Sequence, residues 1–266
     1  MWTDILKEES NTTWIGRVKK MTLFEHTMQI LTSIGMYEEN MIEELVLDAY
    51  KTEHITEILK TGNKNILAWI EKVKKLELRG YAIQILPKLR IHKENVIKEL
   101  VLCARKAEHI TEILKTENKS TLVWIEKMKK LELCGHAIQL LSRLRIPEEN
   151  KMKELVLNAY NPEHIIEILE LENKTIWIGK IRKLRLFYYA IQILPKLGIH
   201  GENVMEELYL NACFPEYIYG ILEEKDKSIW IGRVWRINLE GHANEIKDKL
   251  DFTEIKPDGK EEIVSS

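Results

Sequence analysis

One pattern limits what this chain can fold into: a ring, two residues, then Gln or Glu followed by Ile-Leu, returning nine times. It reads His26-Thr-Met-Gln-Ile-Leu31, His54-Ile-Thr-Glu-Ile-Leu59, Tyr81-Ala-Ile-Gln-Ile-Leu86, His109-Ile-Thr-Glu-Ile-Leu114 and His136-Ala-Ile-Gln-Leu-Leu141, and continues at His164, Tyr189, Tyr217 and His242. Successive rings stand 28, 27, 28, 27, 28, 25, 28 and 25 residues apart. A fixed period of roughly 20–50 residues marks a repeat architecture, in which one small unit is stacked on copies of itself.

Two kinds of unit alternate. Trp14, Trp69, Trp124, Trp177 and Trp230 set a double period of 55, 55, 53 and 53 residues, and Asn40, Asn95, Asn150 and Asn203 open the intervening units. In the Asn unit, the Asn side chain suits a helix N-cap, and Glu43, Glu99, Glu154 and Glu206 then fall where a helix dipole favours negative charge. Ile42, Leu45, Val46 and Ala49 have the spacing of one helical face. Pro162 and Pro215 open a second helix that carries the ring motif. The Trp unit reads the same way, with one helix from Trp69 through Val73 and Leu76, a turn at Leu78-Arg-Gly80, and a second helix in which Gln replaces Glu. Pro87 and Pro195, late in two of these second helices, predict a kink or an early end. No segment reads as alternating with a period of two.

These readings predict an all-α fold with no sheet, a single elongated α-solenoid of about nine stacked two-helix hairpins. Helices packed about 8–10 Å apart would stretch it on the order of 80–90 Å. The solenoid is expected over residues 1–253. Residues 254–266, where the chain turns polar at Lys256-Pro-Asp-Gly-Lys-Glu-Glu, are expected to be a poorly ordered tail.

The bulk chemistry narrows function by exclusion. A net charge of −2 gives no whole-molecule attraction to nucleic acid or anionic lipid, so such binding needs a local patch. No apolar run approaches the roughly 18 residues of a membrane span, and the N-terminus lacks the basic start and apolar stretch of a secretory leader. Cys103, Cys134 and Cys213 are an odd number at unrelated spacings, which favours a reducing, cytoplasmic setting. The Lys/Glu/Ile-rich composition with four Gln fits a thermophile's protein.

No phosphate loop, His-Glu-x-x-His or Gly-x-Ser-x-Gly is present, so the reading is non-enzymatic, with no cofactor. The ring column holds six His and three Tyr. Interchange with Tyr suits packing and does not suit a metal ligand, so no metal is expected.

The strongest binding candidate is a basic ladder. Positions three, five and six after each Trp are basic in fourteen of fifteen cases, including Arg17, Lys20, Lys72, Lys75, Lys127, Lys130, Lys180, Lys183, Arg233 and Arg236, with Trp235 as the exception. Phe187-Tyr-Tyr189, Phe214, Tyr217 and Tyr219 break the repeat in the C-terminal third, and interface centres favour such rings. The expected function is a helical-repeat scaffold binding a protein or peptide. The alternative is nucleic-acid binding along the ladder, if neighbouring Glu rows leave its charge unpaired.

Overall fold

The computed structural model describes residues 6–9, 12–15, 18–32, 34–36, 42–61, 73–88, 97–115, 123–124, 128–147 and 150–256. It overturns the all-α expectation. The dominant element is a parallel sheet of ten strands, nine of which form one path in chain order, each joined to the next by a crossover connection. We number those nine β1 (Lys20–Phe24), β2 (Glu44–Ala49), β3 (Lys75–Gly80), β4 (Glu99–Ala104), β5 (Lys130–Gly135), β6 (Lys151–Ala159), β7 (Ile176–Tyr188), β8 (Glu207–Ala212) and β9 (Ile237–Gly241). Each repeat unit is therefore one strand and one helical segment, not two helices. The chain is a solenoid, but an α/β one.

The first half of each unit is a strand because its apolar residues alternate. Leu76, Leu78 and Gly80 face inward and are buried, while Lys75, Glu77 and Arg79 face outward. The same holds for Leu45, Leu47 and Ala49 against Glu44, Val46 and Asp48. The helical face read from Ile42, Leu45, Val46 and Ala49 fails at Val46, which lies on the opposite side of the pleat from Leu45. Strands spaced about 4.8 Å apart put the nine-strand path on the order of 40 Å across, half the length expected of packed helices.

The ring motif lies in the second half of each unit, which is helical. In the Trp units it forms eight-residue 3-10 helices: Glu25–Thr32, Tyr81–Lys88, His136–Arg143, Tyr189–Lys196 and His242–Lys249. A 3-10 helix has three residues per turn, so i and i+3 eclipse. The motif fits that period. Ala82, Ile83, Ile85 and Leu86 fill two of the three faces and are fully buried, while Tyr81, Gln84 and Pro87 form the third. Pro87 and Pro195 fall one residue before the end of their segments. In the first Asn unit the segment is a nine-residue α-helix, Glu53–Thr61, and in the later ones it is a short 3-10 turn followed by about one turn of α-helix, as at Pro162–His164 and Ile166–Leu169.

The capping role expected of Asn is corrected where it can be seen. Asn150 and Asn203 are buried, and Asn203 Oδ1 accepts the amide of Ile181 in β7 at 2.8 Å. That bond ties one unit to its neighbour and caps no helix. Asn40 and Asn95 lie outside the described residues.

Trp14, Trp124 and Trp230 lie in short strands outside the main sheet, and Trp177 lies in the first part of β7. In β7 the pairing shifts between Trp177 and Gly179, and Gly179 has φ +67°. Before this corner the chain pairs with Leu197–Ile199, and after it the chain enters the main sheet. Ile176 and Ile178 are buried, whereas Trp177 and Trp230 are 38% and 37% exposed, so these rings are not core residues. Leu250–Glu254 also forms a strand, beside Ile229–Val234, and Ile255 is buried, so order continues past residue 253. Residues 257–266 of the expected tail lie outside the described residues.

Candidate interaction surface

The outward face of the sheet is an ordered surface built from repeating positions. Register stacks its side chains into three rows. The first runs Lys20, Glu44, Lys75, Glu99, Lys130, Glu154, Lys183, Glu207, with charge alternating at every strand. Arg236 extends it, because its carbonyl accepts the amide of Leu208, next to Glu207.

Five candidate ladder residues, Lys20, Lys75, Lys130, Lys183 and Arg236, thus sit in a row interleaved with carboxylates. Glu44 takes Lys20 at 2.9 Å and Lys75 at 2.8 Å, and these contacts, the Lys75 hydrogen bond foremost, hold its carboxyl below the usual range. Lys130 lies 3.2 Å from Glu132 and 3.5 Å from Glu154. Lys180 lies on the far part of β7, 3.0 Å from Glu202. Arg233 and Trp235 are exposed near the last corner, and the Trp235 amide bonds Met205 O at 2.9 Å. Arg17, Lys72 and Lys127 lie outside the described residues. Opposite charges one strand apart, well inside a Debye length of about 8 Å, cancel as a field, so these residues do not form a continuous positive strip.

The second and third rows change character along the sheet. Toward the N-terminal side they hold Val46, Asp48, Glu77, Arg79, Val101 and Cys103. Toward the C-terminal side they hold Arg185, Phe187, Tyr209 and Asn211. Here rings gather. Phe187 meets Tyr209 with centroids 5.4 Å apart and Tyr188 at 6.4 Å. Tyr188 contacts Tyr160 at 5.2 Å and Tyr217 at 5.5 Å, and Phe214 joins Tyr217 at 5.7 Å. The repeat-breaking residues Phe187, Tyr188, Tyr189, Phe214 and Tyr217 therefore form one cluster, completed by Tyr160 and Tyr209. Sequence reasoning missed those two because each sits at an ordinary repeat position: Tyr209 is brought in by parallel register, and Tyr160, just past the end of β6, by its contact with Tyr188.

Polar groups frame the rings. The Tyr209 hydroxyl donates to Glu240 at 2.6 Å, and Asn211 Nδ2 donates to the same carboxylate at 2.7 Å. The Glu240 contact raises the phenol above its ordinary value. Arg185 lies 5.9 Å over the Tyr209 ring and bonds Glu207 at 2.7 Å. Tyr160 and Phe214 stay more than half exposed despite their ring contacts.

Tyr188 has an unusual backbone. It stands at φ +57°, ψ −133°. In the matching positions of the other Trp units, Gly80, Gly135 and Gly241 adopt φ +61°, +64° and +61°, and Glu25 adopts φ +51°. This region is costly for a residue with a side chain, and more so for a bulky one.

The ring column is structural. Rings of each Trp unit and the next Asn unit meet edge to face, as Tyr81–His109 and Tyr189–Tyr217 do at 4.7 Å. Where the ring is His109 or His164, Nδ1 accepts the backbone amide three residues earlier, from Lys106 or Asn161. Among the described residues no group of three or more His, Cys, Asp or Glu is arranged to hold a metal ion. No described helix is long and apolar enough to cross a membrane.

No protein-family model matches the chain, and neither the curated proteins nor the solved structures give a significant match.

Proposed function

We propose that this protein is a non-enzymatic scaffold that binds a protein partner on the outward face of its sheet, centred on the ring cluster around Tyr188. Tyr188 carries the reading. A bulky side chain is kept at a corner where neighbouring units use Gly, at a cost of about 1–3 kcal/mol, and its ring sits between Tyr160 and Tyr217. Strain held at a partly exposed ring cluster, away from the core, is what a binding surface would maintain.

The chemistry favours a protein segment with apolar side chains and balanced charge. The rings offer broad, stiff contact area with hydroxyl tips, and Arg185, Glu207 and Glu240 supply both signs around them, the composition of an interface centre and its rim. A polyanion would meet a carboxylate on every second strand.

Paired crosslinking tests the reading. A photoreactive residue in place of Asn211 is expected to capture a discrete protein species. Phe187→Ser and Tyr209→Ser should abolish that capture, and Trp230→Ala, outside the main sheet, should leave it intact. Capture that survives both face substitutions, or enrichment of nucleic acid instead, overturns the proposal.

A further inference from the structure

Cys103 in β4 and Cys134 in β5 are register partners on adjacent parallel strands. Both point to the outward face and both are partly exposed, so a small reagent can reach them. Adjacent strands lie about 4.8 Å apart, inside the roughly 4.4–6.8 Å Cα separation that a disulfide spans. Neither cysteine is in a disulfide. Their surroundings are polarised. Arg79 stands beside Cys103 in the same row, and Glu132 lies at 4.0 Å from the Cys134 sulfur.

We infer that Cys103 and Cys134 are a redox-active dithiol that exchanges with small-molecule disulfides of the glutathione class. This does not rest on the binding role proposed above. Cys103, as its thiolate, attacks one sulfur of the small disulfide. A mixed disulfide forms on Cys103, and one thiolate leaves and takes up a proton. Cys134 then gives up its proton and attacks the Cys103 sulfur, releasing the second small thiol. Two protein thiols lose two electrons, and one small disulfide is reduced to two thiols.

The order of attack follows from the neighbours: Arg79 is the register partner of Cys103 and favours its thiolate, while the Glu132 carboxylate beside the Cys134 sulfur disfavours the other. The neighbouring Cys134 thiol, helped by Arg79, draws the Cys103 thiol below its ordinary value against burial and Glu77. The neighbouring Cys103, with burial, pushes the Cys134 thiol upward. Register partners on parallel strands hold their Cβ atoms about a strand spacing apart, wider than the usual disulfide. The bond is therefore strained and readily reduced again.

Cys213 is an internal control. It is exposed and bonds Asn211 Oδ1 at 3.3 Å. The reduced full-length chain is incubated with oxidised glutathione, alkylated and mapped by peptide mass spectrometry. The expected product carries a Cys103–Cys134 disulfide without glutathione, and a glutathione adduct on Cys213. In Cys134→Ser the intermediate cannot resolve, so glutathione on Cys103 should rise at least about tenfold over wild type. Wild-type protein holding glutathione stably on Cys103 or Cys134, or keeping both thiols free while Cys213 is fully modified, overturns the inference.

Discussion

The ring of His136 meets the ring of His164 edge to face, with centroids 4.7 Å apart. Burial lowers the affinity of both rings, and of His109, for a proton. In the unfolded chain each titrates near about 6.5. As pH falls through that value the unfolded chain takes up protons that the folded chain refuses, so the stability these rings contribute is complete above about 6.5 and is lost below it. Denaturant midpoints measured from about pH 7.5 down to about pH 5 should fall. His136→Tyr with His164→Tyr, the rings found at Tyr189 and Tyr217, should flatten that slope. Equal slopes in the two proteins would remove these histidines as the cause.

Tyr188 reverses the usual ranking of Ala over Gly. Tyr188→Ala loses the ring contacts and keeps the unfavourable corner, whereas Tyr188→Gly loses the contacts and relieves the corner. Tyr188→Gly should therefore be the more stable variant, by roughly 1–2 kcal/mol, as read from the midpoints of thermal or chemical unfolding.

Gly135 shows the same corner from the other side. A Cβ there would lie 2.3 Å from the carbonyl oxygen of Ala104, at φ +64°. Gly135→Ala should cost more than about 2 kcal/mol, because backbone and not a mobile side chain blocks the space. Gly201, whose Cβ would meet nothing within 4 Å, provides the comparison. Gly201→Ala should shift stability by less than about 0.5 kcal/mol.

The Gln of the ring motif acts as a donor between units. Gln139 is buried and its amide donates to the carbonyl of Glu163 at 3.0 Å, and Gln192 does the same to Glu216 at 2.9 Å. Gln139→Ala should cost about 1–3 kcal/mol by orphaning that carbonyl. Gln139→Glu, similar in size but presenting an acceptor to an acceptor, should cost more at neutral pH and recover part of the loss in acid, where the carboxyl can donate. A pH-independent Gln139→Glu would show that the bond contributes little.

How much the sequence disclosed can be seen residue by residue. The ring motif gave the period, the alternation of two unit types and a helical second half. Its burial on two of every three positions, visible in Tyr81-Ala-Ile-Gln-Ile-Leu86, is a 3-10 period that passes for an α-helical one over so short a run. The strands were misread for two reasons. Each offers only about three inward positions, such as Leu100, Leu102 and Ala104, which barely establish a period of two. Their outward partners include Val46, Val101 and Val156, which blur the alternation. The interleaving of lysine with glutamate was readable as composition, but its spacing depended on knowing that strands and not helices carry it. The ring cluster was half visible, because Phe187 and Tyr188 break the repeat while Tyr160 and Tyr209 do not.

The first row of the sheet, Lys20 to Glu207, also bears on how such a chain can grow or shrink. Excising a single coil would set lysine against lysine, offer Gln139 the wrong neighbour and place two glycine-type corners side by side. Excising two restores every match. The heritable module is therefore the couple of about fifty-four residues, and gene duplications or deletions that leave a working protein should come in whole couples.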